Sequence, residues 1–298
     1  MNKHITMLMG AMVLWGTTIP PTKWAMEALP PFTVTFLRLL LASLFLAPIV
    51  WWQTSRNKDK PKIPWGRMLV LSFTGVVGYF MISSIGLNMT SAVNASILNA
   101  SLPLFTIMLS SLYLKEQISA SQWCGLFLGV AGVLVITFNP GMEVKKSSLI
   151  GDGVILLSCF IWAIYIVLMK RPKGEERLSN EMFTFLTLFL GAVMMLPAVI
   201  SDAFGYDHHF FSWKAALSIL FLALVPTIAA YWLWNQALKY ISAPTAGAYL
   251  NTLPLFSVLF SMGLLGESIT WRLIAGGVFI LIGVFWTEKR IQRSETFF

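Results

Sequence analysis

Ten stretches of mostly apolar residues, separated by short polar connectors, decide what this chain can become. A helix needs roughly 20 such residues to cross the hydrocarbon core of a bilayer. The stretches run near residues 4–25, 31–52, 66–87, 92–114, 120–138, 150–169, 180–200, 214–238, 244–265 and 270–288. Only 11% of the 298 residues are charged, against 57% hydrophobic. Soluble domains average about 25% charged, so water is not the solvent for such a surface. The expectation is an all-α integral membrane protein of ten transmembrane helices, with the lipid bilayer as its main partner. The N-terminal run from Ile5 to Leu14 continues through Trp15, Gly16 and Pro20-Pro21 with no small-residue cleavage site. It reads as a retained first helix rather than a signal peptide.

Orientation follows from the Lys and Arg residues of the connectors, which concentrate on the cytoplasmic side. With the N-terminus inside, 15 of them fall on inside segments and 5 on outside ones, and Arg38 remains within a span. Both termini are therefore expected in the cytoplasm, in a cell-membrane protein. The same distribution accounts for the net charge of +8. The basic residues are scattered over short loops, so nucleic acid is not an expected partner. Cys124 and Cys159 lie in apolar runs and suggest no disulfide.

The chain also repeats itself. Trp15 to Lys23 recurs as Trp162 to Lys170, and Thr35-Phe36-Leu37 as Thr184-Phe185-Leu186. Leu102-Pro103-Leu104-Phe105 recurs as Leu253-Pro254-Leu255-Phe256, followed by Glu116/Glu267, Gly125/Gly276 and Gly132/Gly283. The offset drifts only from 147 to 151 residues. This gives a first repeat at 1–138, an external linker at 139–149, a second repeat at 150–290 and a cytoplasmic tail at 291–298. Five spans per repeat is an odd number, so the second copy enters the membrane from the opposite face. Inverted repeats of this kind recur in carriers, where two similar halves rock about a central site.

Several features resemble the drug/metabolite transporter superfamily, specifically proteins with two EamA-type domains. They are Trp15-Gly16; Arg38 within Phe36-Leu37-Arg38-Leu39-Leu40-Leu41-Ala42; a proline in spans four and nine; Leu114-Lys115-Glu116 and Leu265-Gly266-Glu267; and the glycines of spans five and ten. The second half departs from the pattern with Ala163 for Gly16 and Thr187 for Arg38. The resemblance implies a ten-helix carrier of a small organic molecule, commonly outward and commonly an amino acid or related metabolite. A multidrug efflux carrier would share the same pattern.

Residues for a solute path can be chosen on chemistry. Proline in a span frees a carbonyl one turn earlier, and such breaks are tolerated where they face protein or a cavity. Pro20, Pro103, Pro226 and Pro254 are the expected helix breaks, with Asn94, Ser96, Asn99 and Asn251 near two of them. Aromatic residues usually belt the membrane interfaces, yet Trp15 and Trp162 fall near mid-span. Trp15, Tyr79, Asn99, Trp162, Tyr165, Tyr231, Asn235 and Tyr249 are the expected path residues. Their ring faces, amides and hydroxyls suit a neutral or zwitterionic solute. Arg38 needs a partner inside a span, and Glu27 is the nearest in sequence, as a gate or a structural clamp. Glu116 and Glu267 are expected to stabilise turns before helix starts, and Ser119 with Gln122 to form a capping box.

Other classes fit less well. An enzyme would need paired acids, a nucleophile with a base, or a metal set. The three histidines, His4, His208 and His209, lie outside the span cores, so no metal and no cofactor is expected. Channels commonly build their symmetry from several subunits, whereas here it lies within one chain. That favours a carrier able to function as a monomer.

Overall fold

A computed structural model describes residues 3–56, 62–89, 98–99, 101–137, 149–170, 178–205, 212–265 and 271–288. These residues are almost entirely helical. In chain order they form α1 (Lys3–Gly16), α2 (Ile19–Met26), α3 (Pro31–Arg56), α4 (Trp65–Ser72), α5 (Gly78–Met89), α6 (Leu102–Leu109), α7 (Ala120–Thr137) and α8 (Leu149–Met169). Then follow α9 (Asn180–Gly205), α10 (Trp213–Leu222), α11 (Ala230–Leu238), α12 (Ala243–Leu250), α13 (Leu253–Leu265) and α14 (Trp271–Glu288). Wider π-helical turns lie at Phe73–Val77, Ser110–Leu114 and Ala223–Ala229. The first joins α4 to α5 and the third joins α10 to α11, without a break in the helical run.

Among the described residues five helical stretches are long and apolar enough to cross a membrane: Pro31–Arg56, Trp65–Ser83, Leu149–Met169, Asn180–Asp202 and Trp213–Leu238. Shorter apolar helices cover Leu102–Leu114, Ala120–Val135 and Ile274–Trp286. The stretch expected as span one is divided at Thr17-Thr18, and that expected as span nine at Asn251-Thr252.

Pro20 and Pro21 sit in the first turn of α2, and Pro103 in the first turn of α6. Pro254 is likewise the second residue of α13. A proline there needs no N–H, because the first turn of a helix has no acceptor for it. These three breaks are therefore restarts rather than kinks within a continuous helix. Of the four expected breaks only Pro226 lies inside an unbroken helical run, as Pro48 and Pro197 also do within α3 and α9.

The helices gather into two compact units, Met1–Val77 with Arg171–Lys239, and Gly78–Lys170 with Tyr240–Phe298. Each unit takes helices from both sequence repeats. In the first, α3 packs along α9, α1 along α11 and α2 along α10. Ala25, Val34, Ile219 and Leu222 form a buried core there. At the start of α3 the backbone N–H and hydroxyl of Thr33 both donate to Asp202 Oδ2, at 2.8 and 3.1 Å. A carboxylate at this position satisfies orphan donors of a helix N-terminus.

In the second unit α7 lies along α14 and α5 along α8. Small residues set the first of these pairs. A Cβ on Gly132 would stand 2.5 Å from the Gly276 carbonyl oxygen, and one on Gly283 would stand 2.5 Å from that of Gly125. The two backbones touch, as small residues permit in membrane helices.

Candidate functional site

The eight expected path residues divide between the units, and in each unit some of them meet. In the first unit α1 brings Trp15 against α11. Its ring lies edge-on to Tyr231 at 5.3 Å and 77°, and tilted against Trp234 at 5.3 Å. Trp15 is half-buried, while Tyr231, Trp234 and Asn235 are enclosed. The Asn235 amide donates to Thr184 Oγ1 at 3.1 Å.

Two backbone carbonyls organise this cluster. Trp15 Nε1–H donates to the carbonyl of Pro226 at 2.9 Å, and the Tyr231 hydroxyl donates to that of Gly75 at 3.2 Å. Gly75 and Pro226 are 151 residues apart, the same separation as the repeats, and each sits within a π-helical turn. π-Turns leave backbone carbonyls poorly served within the helix and are frequent at functional sites. Here an aromatic donor serves each one. Proline marks the turn in the second repeat, although the carbonyl engaged is its own and not the one a turn earlier. Nothing in the sequence pointed to the turn at Gly75.

Arg38 is buried on α3, near enough to Tyr231 for the two to act on each other electrostatically. The expected partner Glu27 is elsewhere: both its carboxylate oxygens accept from Lys214 Nζ, at 2.9 and 2.8 Å, on an exposed surface. The Glu27–Arg38 clamp is therefore corrected. A carboxylate stays in water with a neighbouring lysine more cheaply than it follows an arginine into an apolar helix bundle.

In the second unit Tyr79 of α5 leans on Trp162 of α8 at 5.0 Å, and Trp162 on Tyr165 at 5.4 Å. Tyr79 is half-buried, with Trp162 and Tyr165 behind it. Asn99, also half-buried, accepts at Oδ1 from the thiol of Cys159 at 3.1 Å. Cys159 lies one turn before Trp162, so one face of α8 carries both. The sequence reading passed over Cys159, because a cysteine in an apolar run gives no functional signal. On the following segment Phe105 stands edge-on to Phe160 at 5.7 Å.

Tyr249 is enclosed on α12, where a Cβ on Gly247 would touch Thr106 at 3.3 Å. Asn251, at the break after α12, is buried with its Nδ2 against Gly129. Asn94, Ser96, His208, His209 and Glu267 lie outside the described residues. Among the described residues no group of three or more His, Cys, Asp or Glu could hold a metal ion.

A polar junction lies away from these clusters. Lys115 takes a left-handed backbone conformation, φ 55°, which turns the chain after the Ser110–Leu114 turn. Glu116 then accepts from the backbone N–H of Ala243, the first residue of α12, beside Lys170. Lys170 Nζ donates to the Ile241 carbonyl. Burial pushes the Glu116 carboxyl above its ordinary value, against the pull of Lys170 and of the Ala243 N–H. Burial also lowers the Lys170 ammonium, against the pull of Glu116. Glu116 thus serves a helix start, but that of α12 rather than of the helix following it in sequence. That next helix has its own capping box: Ser119 N donates to Gln122 Oε1 at 2.9 Å, and Gln122 N to Ser119 Oγ at 3.2 Å.

Known proteins resemble this chain along nearly its whole length. The model of the EamA-like transporter family matches residues 2–138 and 149–288. The uncharacterized transporter YdfC of Bacillus subtilis (strain 168) is 30% identical over 285 residues, 96% of this chain and 90% of its own. An uncharacterized transporter of Archaeoglobus fulgidus is 28% identical over 293 residues, 97% of this chain and 99% of its own. A Salmonella typhimurium (strain LT2) protein named "Probable amino-acid metabolite efflux pump" is 25% identical over 282 residues, 92% of this chain and 90% of its own. A protein of solved crystal structure, 17% identical, shares the fold with a TM-score of 0.81 over 99% of both chains. With both halves matched, the chain belongs to the EamA-like transporter family.

Proposed function

We propose that this protein is a secondary carrier that exports small neutral or zwitterionic metabolites, amino acids and their relatives above all. It works by alternating access, from ten spans in the cell membrane with both termini in the cytoplasm. Trp15, Tyr79, Asn99, Trp162, Tyr165, Tyr231, Asn235 and Tyr249 line the solute's path. The observation that carries this reading is the pair of aromatic clusters, Trp15–Tyr231–Trp234 and Tyr79–Trp162–Tyr165. In each, one half-buried ring is backed by enclosed ones.

Such surfaces offer ring faces, a phenol and an amide, which hold an apolar side chain or an ammonium group. They do not offer the grouped cations that phosphate esters require. The relative named as an amino-acid metabolite efflux pump supports the same solute class.

Purified protein in liposomes, screened with radiolabelled amino acids with and without a pH gradient, tests the proposal. We expect saturable uptake that Trp162→Ala reduces at least tenfold. A protein that moves no amino acid but moves lipophilic drugs would replace this reading with multidrug efflux. Unchanged kinetics in Trp15→Ala, Tyr79→Ala and Trp162→Ala would remove the clusters from the path.

A further inference from the structure

Within the second unit, a groove of about 830 Å³ opens between the end of α6, the π-helical turn after it and the start of α7. Its apolar lining includes Ile107, Met108, Leu112 and Trp123. Leu112 is 73% exposed, Met108 44% and Trp123 39%. The Trp123 ring stacks on Phe127 at 5.8 Å, which extends the apolar wall along α7. In a family of membrane transporters such surfaces meet acyl chains; Ser111 and Gln117 supply the uncharged polar lining.

The charged lining is Lys115 and Glu116, neighbours in sequence with opposite surroundings. The left-handed turn at Lys115 directs Glu116 to the Ala243 N–H and Lys170. Lys115 stays exposed, with no ion-pair partner among the described residues. The groove therefore presents one uncompensated cation at the end of an apolar track. The N-terminus of α7 is closed to ligands by the Ser119–Gln122 capping box. An amphiphile with an anionic head matches this arrangement.

We propose that the groove holds one membrane phospholipid, its phosphate on Lys115 and an acyl chain along Met108, Leu112 and Trp123. The site is independent of the transported solute.

Native mass spectrometry of the delipidated, detergent-purified full chain, titrated with phosphatidylglycerol, reads it directly. One lipid should bind with higher affinity than the rest. Lys115→Glu should weaken that binding by about fivefold or more, the effect of one interfacial cation, and Lys115→Arg should preserve it. Met108→Trp, which fills the track, should weaken it while the protein remains monodisperse. The proposal fails if Lys115→Glu and Met108→Trp bind like wild type. It also fails if uncharged diacylglycerol binds as tightly, or if inorganic phosphate displaces the lipid.

Discussion

Trp15 and Tyr231 each commit their only N–H or O–H donor to a backbone carbonyl. On the proposed path, what remains for a solute is the flat of the ring, so these residues would offer shape and polarisability rather than a hydrogen bond. Their side chains were legible as unusual from their depth in apolar spans. The carbonyls they serve were not, because Gly75 and Pro226 share no chemistry, only a position in the repeat. Glu27 and Arg38 show the opposite failure: nearness along the chain suggested a pair, and Lys214, 187 residues away, holds the carboxylate instead. Glu116 carries a pH prediction. Its folded pKa lies above the ordinary 4.5, so its neutral form suits the fold better than its anion. Its contribution is fully present below pH 4.5 and is lost as pH rises through the elevated value. The melting temperature of wild type relative to Glu116→Gln should therefore fall as pH rises from 4 towards neutrality. A difference that stays flat, or rises, contradicts the burial argument.

At the scale of elements, the four prolines expected as helix breaks fall in two kinds of place. Pro20, Pro103 and Pro254 begin helices, where a missing N–H costs nothing. Of the four expected breaks Pro226 alone lies inside a helical run, and the equivalent turn forms around Gly75 without any proline. The turn is thus not a product of the proline ring. Pro226→Ala should change stability by no more than about 1 kcal/mol. Gly283 is different in kind, because its Cβ would enter the Gly125 carbonyl and the Gly129 backbone. Gly283→Leu should cost at least about 1–3 kcal/mol by forcing α7 and α14 apart. Melting of both variants in one detergent compares them; equal losses would overturn the distinction. The glycine spacing was legible as a match between the repeats, and the structure supplies its reason in the contact of the two backbones.

For the whole molecule, apolar run length and the doubled motifs were enough to place the chain in its family. Matching positions tell which segments are alike, however, and not which ones pack together. That second question depends on contacts far apart in sequence, such as Thr33 with Asp202 at 169 residues or Trp15 with Pro226 at 211. The two compact units each mix helices from both copies. A polypeptide cut within 139–148 would consequently yield two fragments, neither holding a complete unit. Residues 1–138 would present α3 without α9, and α7 without α14. Each fragment made alone should aggregate or be degraded, and the two made together should co-purify; a stable first fragment on its own would refute this. The same reasoning constrains ancestry. A forebear with a single copy could not have buried these faces by itself, and would have needed a second molecule to cover them, inserted upside down beside it on the proposed topology. Two copies joined in one chain need not stay alike, and each is free to diverge, as Arg38 opposite Thr187 and Gly75 opposite Pro226 show.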